Sequence, residues 1–420
     1  MRILISAYAC EPGRGSEPGI GWDHVCQTAR HHDVWVITRC NNRAAIEKAL
    51  ARDPIAGLRC VYFDLPYWAR FWKKGARGLN LYYYLWQIGA YLTARGLHHE
   101  VKFDLAHHVT FGSYWRPTFL PLLPIPFIWG PVGGGESTPG GFHRAFSMRG
   151  RLYEALRDYA RKIGERDPFV RLAARRSVAA LATTSQTKER LLALGCRKVA
   201  VCAQSGLPAE ELVKLMALPL RHGNPFRVLS LGRLLHWKGF ELGLQAFARF
   251  HALFPDSEYW LIGDGPERKR LERLGRKLGI RGRMVFWGVL ARSEALEKIS
   301  QCDVLLHPSL HDSSPMVAVE AMAAGRPVVC LDLGGPALQV TEDSGIKVPA
   351  TSPEQVVSDL AAAMMQLAED PDLRIRLGVA ARQRVREHFA WDQKGVFMAN
   401  MYGLLKEDEI ERFAWASGEN

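Results

Sequence analysis

The stretch Val304–Cys330, VLLHPSLHDSSPMVAVEAMAAGRPVVC, decides how this chain is read. Val304–His307 is a short run of strand type, and a polar loop bounded by Pro308 and Pro315 follows it. Met316–Ala324 contains no Gly or Pro and reads as a helix. Pro315 sits at its first turn, where a missing N–H costs nothing. Gly325 ends the helix and Pro327–Cys330 begins a second strand-type run. Strand, loop, helix, turn and strand in this order describe one unit of a parallel sheet with a covering helix.

The same grammar extends outward. Arg227–Leu231, Glu258–Ile262 and Met284–Phe286 read as strands, alternating with helical patterns at Phe240–Leu253, Glu267–Leu278 and Arg292–Gln301; Pro353–Leu367 is a further helix. An earlier series precedes it: Ile3–Ala7, Val34–Thr38, Leu58–Phe63, Leu105–His108, Phe127–Trp129, Ala180–Thr184 and Val199–Cys202, with helices such as Trp22–Arg30 and Ala44–Ala51 between. The alternation predicts parallel sheets covered on both faces. Leu218–Pro225, rich in Pro, Gly and polar residues, reads as the linker. The expectation is α/β: two doubly wound domains joined near residue 220, with ligands at the carboxyl ends of the strands, in a cleft between the sheets.

Length agrees, since 420 residues at roughly 150 per domain suggest two or three domains. A hydrophobic share of 48% with 23% charged residues excludes a disordered or fibrous chain. Eight cysteines are scattered without CxxC pairs or zinc-finger spacing, so they read as reduced thiols. MRILISAYAC is too short an apolar run for a signal-peptide core and reads as the first buried strand. Pro117–Gly135 is uncharged but holds five prolines, and Leu81–Ala94 is short of the ~20 residues that span a bilayer, so a soluble or peripheral protein is expected.

Four features of the second domain suit a sugar nucleotide. Gly232-Arg233-Leu-Leu-His-Trp-Lys238-Gly239 follows the strand Arg227–Leu231 and brings two cations to its carboxyl end, as a diphosphate requires. Gly263-Asp-Gly265-Pro266 is a glycine turn after the next strand, where backbone can approach a ligand. In Pro308–Pro327, the amides of Met316 and Val317 lie at a helix N-terminus, a pyrophosphate site, and Ser314 and Pro315 precede them. Glu320 lies one turn on, within reach of a ribose diol, and Asp312 is placed to accept from sugar hydroxyls. Asp332-Leu-Gly334-Gly335-Pro336 is a further glycine turn.

Together these residues resemble the retaining glycosyltransferase family 4 of the GT-B fold, the glycosyl transferase group 1 family, over essentially the whole chain. Its signature is an acid, seven residues, then Glu, matched by Asp312 and Glu320. The first acid is usually Glu; Asp312 is one methylene shorter, which alters its sugar contacts. The resemblance implies a GT-B fold of two Rossmann-like domains: 1–218 with a C-terminal tail 393–420 on the acceptor side, and 224–392 for the donor. The tail region Phe389–Asn420, with Trp391, Phe397, Met401, Tyr402 and Phe413, would cross back to the first domain.

The resemblance also implies site residues. Arg233 and Lys238 would bind the donor diphosphate, Glu320 the ribose, and Asp312 with nearby amides the transferred sugar. Gly232, Gly263 and Gly265 would line the donor. The family's glycine-rich loop after the first strand corresponds to Gly13–Gly21, with Gly19 as the donor contact. A family histidine at a strand end facing the sugar falls within Phe103–Thr110. Counting forward to the following loop selects His108, counting from Asp104 selects His107; His108 is taken as the site residue, and the pair stays open. Trp129–Glu136 reads as a cleft loop on the acceptor side, with Glu136 as a contact.

The expected reaction is transfer from a UDP- or GDP-sugar with retention, through an oxocarbenium-like state. Arg233, Lys238 and the Met316–Val317 amides would stabilise the departing diphosphate, whose oxygen would take the acceptor proton. No Asp-x-Asp motif lies among these residues, so no metal and no cofactor beyond the donor is expected. The acceptor would be a glycan or a lipid-linked molecule of cell-surface polysaccharide or glycolipid synthesis; a small soluble acceptor and a non-catalytic nucleotide-sugar binder are the alternatives. A dehydrogenase is disfavoured because the third glycine of its fingerprint is displaced to Gly19 and Asp33 starts a strand rather than ending one.

Charge points to a further partner. Residues 1–220 hold 30 basic and 17 acidic residues, net +13, and the remainder 25 and 26. No zinc-finger spacing, RNP-like strand or basic recognition helix accompanies the excess, so nucleic acid is not expected. Aromatics mix with cations over Tyr67–Arg95, and ten basic residues lie within Arg144–Arg176. This composition suits an anionic membrane surface, and the expected location is cytoplasmic, peripheral on the inner face of the plasma membrane. Base, sugar, linkage and oligomeric state have no signal in the sequence.

Overall fold

A computed structural model describes residues 1–75, 77–220 and 223–406. The chain divides into two compact units, one of 1–135, 157–204 and 391–420, the other of 136–156 and 205–390. Each is built on a parallel sheet.

The first unit has seven strands: β1 Arg2–Ala7, β2 Asp33–Arg39, β3 Leu58–Phe63, β4 Leu105–Thr110, β5 Phe127–Val132, β6 Ser177–Ala182 and β7 Val199–Val201. Their order is β3-β2-β1-β4-β5-β6-β7. β1 lies inside the sheet because Ile3–Ala7 is buried on both faces, and Ile3 pairs with Val34 on one side and Leu105 on the other. The second unit has β8 Phe226–Leu231, β9 Ser257–Ile262, β10 Met284–Gly288, β11 Val304–His307, β12 Val328–Leu331 and β13 Gly345–Val348. Their order is β10-β9-β8-β11-β12-β13. In each sheet the strand order reverses beside the first strand, between β1 and β4 and between β8 and β11. A parallel sheet opens a crevice at such a point, beyond its carboxyl ends. The 232–239 and 308–316 loops leave β8 and β11 there, as the loops after β1 and β4 do in the first unit.

Three local expectations are corrected. Gly13–Gly21 is not one loop: the helix Ser16–Ala29 begins inside it, and Gly19 is buried on that helix. A Cβ on Gly19 would lie 1.9 Å from the Arg14 carbonyl oxygen, so backbone, and not a ligand, occupies its missing side chain. Asp332–Pro336 is the start of a short helix, Gly334–Gln339. β13 was not anticipated, because GIKV offers four residues and one of them is charged.

The division of the chain also differs from the expected 1–218 with 393–420 and 224–392. Residues 136–156 belong to the second unit because Glu136 accepts from Ser313 Oγ at 2.8 Å and Glu154 accepts from His236 and His311. Residues 205–218 join it too, with Leu207 N–H donating to Phe389 O at 2.8 Å. The helix Trp391–Lys406 packs in the first unit, where Asp392 accepts from Gln27 at 3.0 Å and Arg30 at 2.5 Å. Phe413 and the rest of 407–420 lie outside the described residues, as do 221 and 222 of the expected linker.

Candidate functional site

The motif loops of the second unit interlock through their backbones. The turn after β8 crosses the turn after β9: Gly232 N–H donates to Ile262 O at 2.9 Å and Leu234 N–H to Asp264 O at 3.0 Å. A Cβ on Gly263 would stand 2.1 Å from Gly232 O, so this crossing requires glycine. Gly239, at φ +66°, lies against the Pro308 carbonyl; a Cβ there would be 1.8 Å from the oxygen. Leu310 N–H reaches Trp237 O at 2.8 Å, and Gly335 N–H reaches Asp312 O at 2.8 Å. The four sequence motifs are therefore one folded object, and several of their glycines serve loop packing.

Its charges are paired. Lys238 Nζ donates to Asp312 Oδ2, and His307 Nε2 lies 3.1 Å from the same oxygen. Burial pushes the Asp312 carboxyl up, but Lys238 and His307 together outweigh it and hold the group well below the usual carboxylate range. Burial lowers His307, against the pull of Asp312. Arg233 is exposed, and its side chain has no ion pair among the described residues.

Glu320 is buried on the helix Met316–Ala323 and accepts from Arg292 Nη1 at 2.6 Å. Arg292 also forks onto Glu211, at 3.0 Å from Nε and 2.6 Å from Nη2. Burial works against the Arg292 charge, but the two carboxylates outweigh burial and keep it protonated. For Glu320, burial outweighs Arg292 and raises the carboxyl above its ordinary value. At the start of this helix Pro315 is the N-cap and offers no side-chain bond to the first amides, those of Met316 and Val317. The Ser314 hydroxyl is engaged within the protein, 2.9 Å from Ser205 N and 2.8 Å from Ser205 Oγ, with Gln339 Nε2 at 3.4 Å.

A further cluster supports these loops. Buried Glu154 accepts from His236 Nε2 at 2.9 Å and lies 3.3 Å from His311 Nε2. Trp237 stacks on Tyr153 at 5.0 Å and on His311 at 5.2 Å. Glu136, expected on the acceptor side, belongs to the second unit beside Ser313.

In the first unit the two adjacent histidines have different surroundings. His107 Nε2 donates to the Gly130 carbonyl at 2.6 Å, so its Nδ1 accepts from the Tyr402 hydroxyl at 2.7 Å. His108 has Tyr83 Oη 3.4 Å from Nε2 and the Phe111 backbone beside its ring, and its Nδ1 is buried with no hydrogen-bond partner in range among the described residues. Burial lowers His107 to about 4. Burial, then the adjacent His107, lowers His108 to about 3, so both rings are neutral. Glu17, within the glycine-rich run, accepts from Gly112 N–H at 2.5 Å, and burial raises its carboxyl.

The structure thus places Gly232, Arg233, Lys238, Gly263, Gly265, Asp312, Ser314 and Pro315 in the loops of the second unit, with Met316, Val317 and Glu320 on the helix that follows, and leaves His108 and Gly19 in the first. Sequence reasoning passed over His307, Arg292, Glu211 and Glu154. His307 ends a strand that was recognised, which is a usable signal; the other three become relevant only through partners distant in sequence.

Residues 217–384, which hold these loops, match the family Glycosyl transferases group 1. The chain carries a glycosyl transferases group 1 domain. It is 32% identical over 203 residues to a 2-deoxystreptamine glucosyltransferase of Streptomyces kanamyceticus, covering 48% of this chain and 49% of the relative. It is 32% identical over 167 residues to the lipopolysaccharide core biosynthesis glycosyltransferase LpsD of Rhizobium meliloti, covering 40% and 46%. The chain spans about half the length of the curated relatives it matches. Among solved structures, sucrose-phosphate synthase from Thermosynechococcus elongatus aligns with a TM-score of 0.65 at 19% identity, over 97% of this chain and 99% of that one. Anabaena HepE in complex with UDP and glucose aligns with a TM-score of 0.61 at 19% identity, over 96% and 99%. The fold around the glycosyl transferases group 1 domain is GT-B, with two Rossmann-like α/β domains.

Proposed function

We propose that this chain is a retaining glycosyltransferase of family 4. It moves a sugar from a UDP- or GDP-sugar to a glycan or lipid-linked acceptor, in cell-surface polysaccharide or glycolipid synthesis. The observation that carries the reading is the pair of ion clusters in the second unit, Lys238–Asp312–His307 and Arg292–Glu320–Glu211. Each holds a cation and an acid together. A donor would exchange their partners: its diphosphate takes Lys238 with exposed Arg233, and Asp312 turns to the sugar hydroxyls. The ribose diol takes Glu320, while Glu211 keeps Arg292 charged. The uncapped amides of Met316 and Val317 face the same anion. Charge developing on the leaving diphosphate is then met by fixed cations and a helix N-terminus, and a phosphate oxygen accepts the acceptor proton on the departing face. These cations do the work that a divalent ion does elsewhere, so the reading includes no metal and no other cofactor. His108, in the first unit, is the remaining residue that the family resemblance assigns to the donor sugar. Gly232, Gly263 and Gly265 shape the donor loops and would line the donor.

HepE was solved with UDP and glucose, which agrees with a nucleotide-sugar donor, and LpsD is named for lipopolysaccharide core biosynthesis, which favours a glycolipid acceptor. The 2-deoxystreptamine glucosyltransferase match favours a second reading, transfer to a small soluble acceptor. Thermal-shift measurements with UDP- and GDP-sugars test the donor, because a ligand of the folded state raises its stability by mass action. NMR of the product's anomeric configuration then tests retention. No shift with any nucleotide sugar, or an inverted product, overturns the reading.

A further inference from the structure

The second unit holds a cavity of about 530 Å³, and none of the residues assigned to the donor lines it. It lies where two helices begin. Gly239, at φ +66°, starts the helix Phe240–Leu253, and Ser352 caps the helix Pro353–Glu369 by accepting from Gln355 N–H at 3.2 Å. These helices pack side by side, and the segment Gly141–Phe146 borders the space at their amino ends. Arg270 fixes that segment, donating to Ala145 O at 3.2 Å and to Glu241 at 2.5 Å. Buried Phe142, Phe146, Leu242 and Leu310 give the cavity an apolar floor. Its volume falls within the roughly 300–1,000 Å³ of small-molecule sites.

The polar residues select the ligand. Arg144, Gln245 and Glu354 line the cavity, and their side chains have no partner among the described residues. A guanidinium, an amide and a carboxylate offer donors and acceptors together. Charge balances: Arg144 offsets Glu354, and Arg270 neutralises Glu241. The positive ends of both helices are already met by acids in their first turns, Glu241 and Glu354, so the site does not favour an anion. A wholly apolar ligand would strip water from three polar side chains and return no hydrogen bonds. A neutral ligand with hydroxyls around its edge and C–H groups on its face satisfies both rim and floor, and a pyranose is such a molecule.

We propose that this cavity is a second carbohydrate site, taking a neutral mono- or disaccharide through Arg144, Gln245 and Glu354 over the floor of Phe142 and Phe146. Part of its wall belongs to the motif loops themselves. His236 and Leu310 line it, each two residues before a charged member of its loop, Lys238 and Asp312. Leu310 N–H donates to Trp237 O at 2.8 Å, and His236 shares Glu154 with His311. A sugar in the cavity therefore rests against the two segments that carry Lys238 and Asp312. The site goes beyond the proposed function and does not depend on it, because it uses none of the donor residues.

Saturation-transfer NMR of the full chain tests this, with methyl α-glucoside, methyl α-mannoside, methyl α-galactoside and maltose as probes. Signal transfer to at least one of them is expected. Arg144→Ala and Gln245→Ala should each weaken binding by about threefold to tenfold, as the loss of one hydrogen bond does. Gln245→Trp should abolish it by filling the cavity, and thermal unfolding of all three variants checks that the fold is kept. Asp312→Asn should leave the signal in place, since Asp312 does not line the cavity. Glucose 6-phosphate should bind no better than methyl α-glucoside. No transfer to any probe overturns the site, as does binding that persists in Gln245→Trp. Loss of binding in Asp312→Asn overturns it too, because the sugar would then occupy the donor loops, and a preference for the phosphorylated sugar overturns the neutral ligand.

Discussion

The Tyr402 hydroxyl donates to Nδ1 of His107 at 2.7 Å, joining residues 295 positions apart in the chain. The bond fixes the His107 tautomer and ties the C-terminal helix to the central sheet of the first unit. Tyr402→Phe keeps the ring and removes the donor, leaving a buried neutral nitrogen unsatisfied. The expected cost is roughly 1–3 kcal/mol, read from urea unfolding. An unchanged midpoint would show that the bond contributes nothing to stability.

Acid should weaken the same region. Burial holds His24 well below its ordinary value, His107 at about 4 and His108 at about 3. In the unfolded chain each returns to about 6.5. The unfolded state then binds more protons, so stability falls as pH drops from about 6.5 toward 4, by up to about 1.4 kcal/mol per pH unit for each ring. Urea midpoints measured across this window should fall steadily. His107→Asn should flatten the slope if the folded state forms, and a native slope of zero would contradict neutral buried rings.

Asp312 responds in a separate, lower window. Its folded value is depressed by Lys238 and His307 against burial. Its contribution is therefore present above the unfolded value, about 3.9, and is lost as pH falls below that toward the folded one. For activity, Asp312→Asn and Lys238→Ala should each reduce sugar transfer by about a hundredfold to a thousandfold, as for loss of a group that meets transition-state charge. Full turnover in either variant would remove the residue from the proposed site.

Arg292 stands between two carboxylates, one of them buried. Arg292→Ala leaves Glu320 buried and unpaired, with an expected destabilisation of roughly 1–3 kcal/mol. Glu211→Gln removes only the more exposed partner and should cost less. Thermal unfolding of the two variants checks the order, and equal effects would contradict it. A UDP-sugar should stabilise the Arg292→Ala variant less than the native chain, because Glu320 is then partly protonated and a poorer acceptor for ribose hydroxyls.

Gly239 tests the interlocking of the loops. Alanine there would place Cβ 1.8 Å from Pro308 O at a φ of +66°. Strain of this kind costs about 1–3 kcal/mol before the contact is relieved. The expected result is a lower melting temperature together with weakened donor binding, because Lys238 and the 308–316 loop shift as one. A variant as stable as the native chain would show that the two loops are not coupled.

The sheets, their parallel order and the position of the motif loops were legible in the chain, since strand runs such as Ile3–Ala7 and helical patterns such as Phe240–Leu253 are local signals of burial. So was the grouping of Arg233, Lys238, Asp312 and Glu320, because strand ends place their loops together whatever the loops contain. What only the tertiary structure decided is which charges meet. Lys238 finds Asp312 at a separation of 74 residues and Arg292 finds Glu211 at 81. Glu154 leaves the amino-side sequence to hold His236 and His311 in the second unit. A carboxylate's partner depends on the space that packing leaves around it, and spacing along the chain carries no record of that.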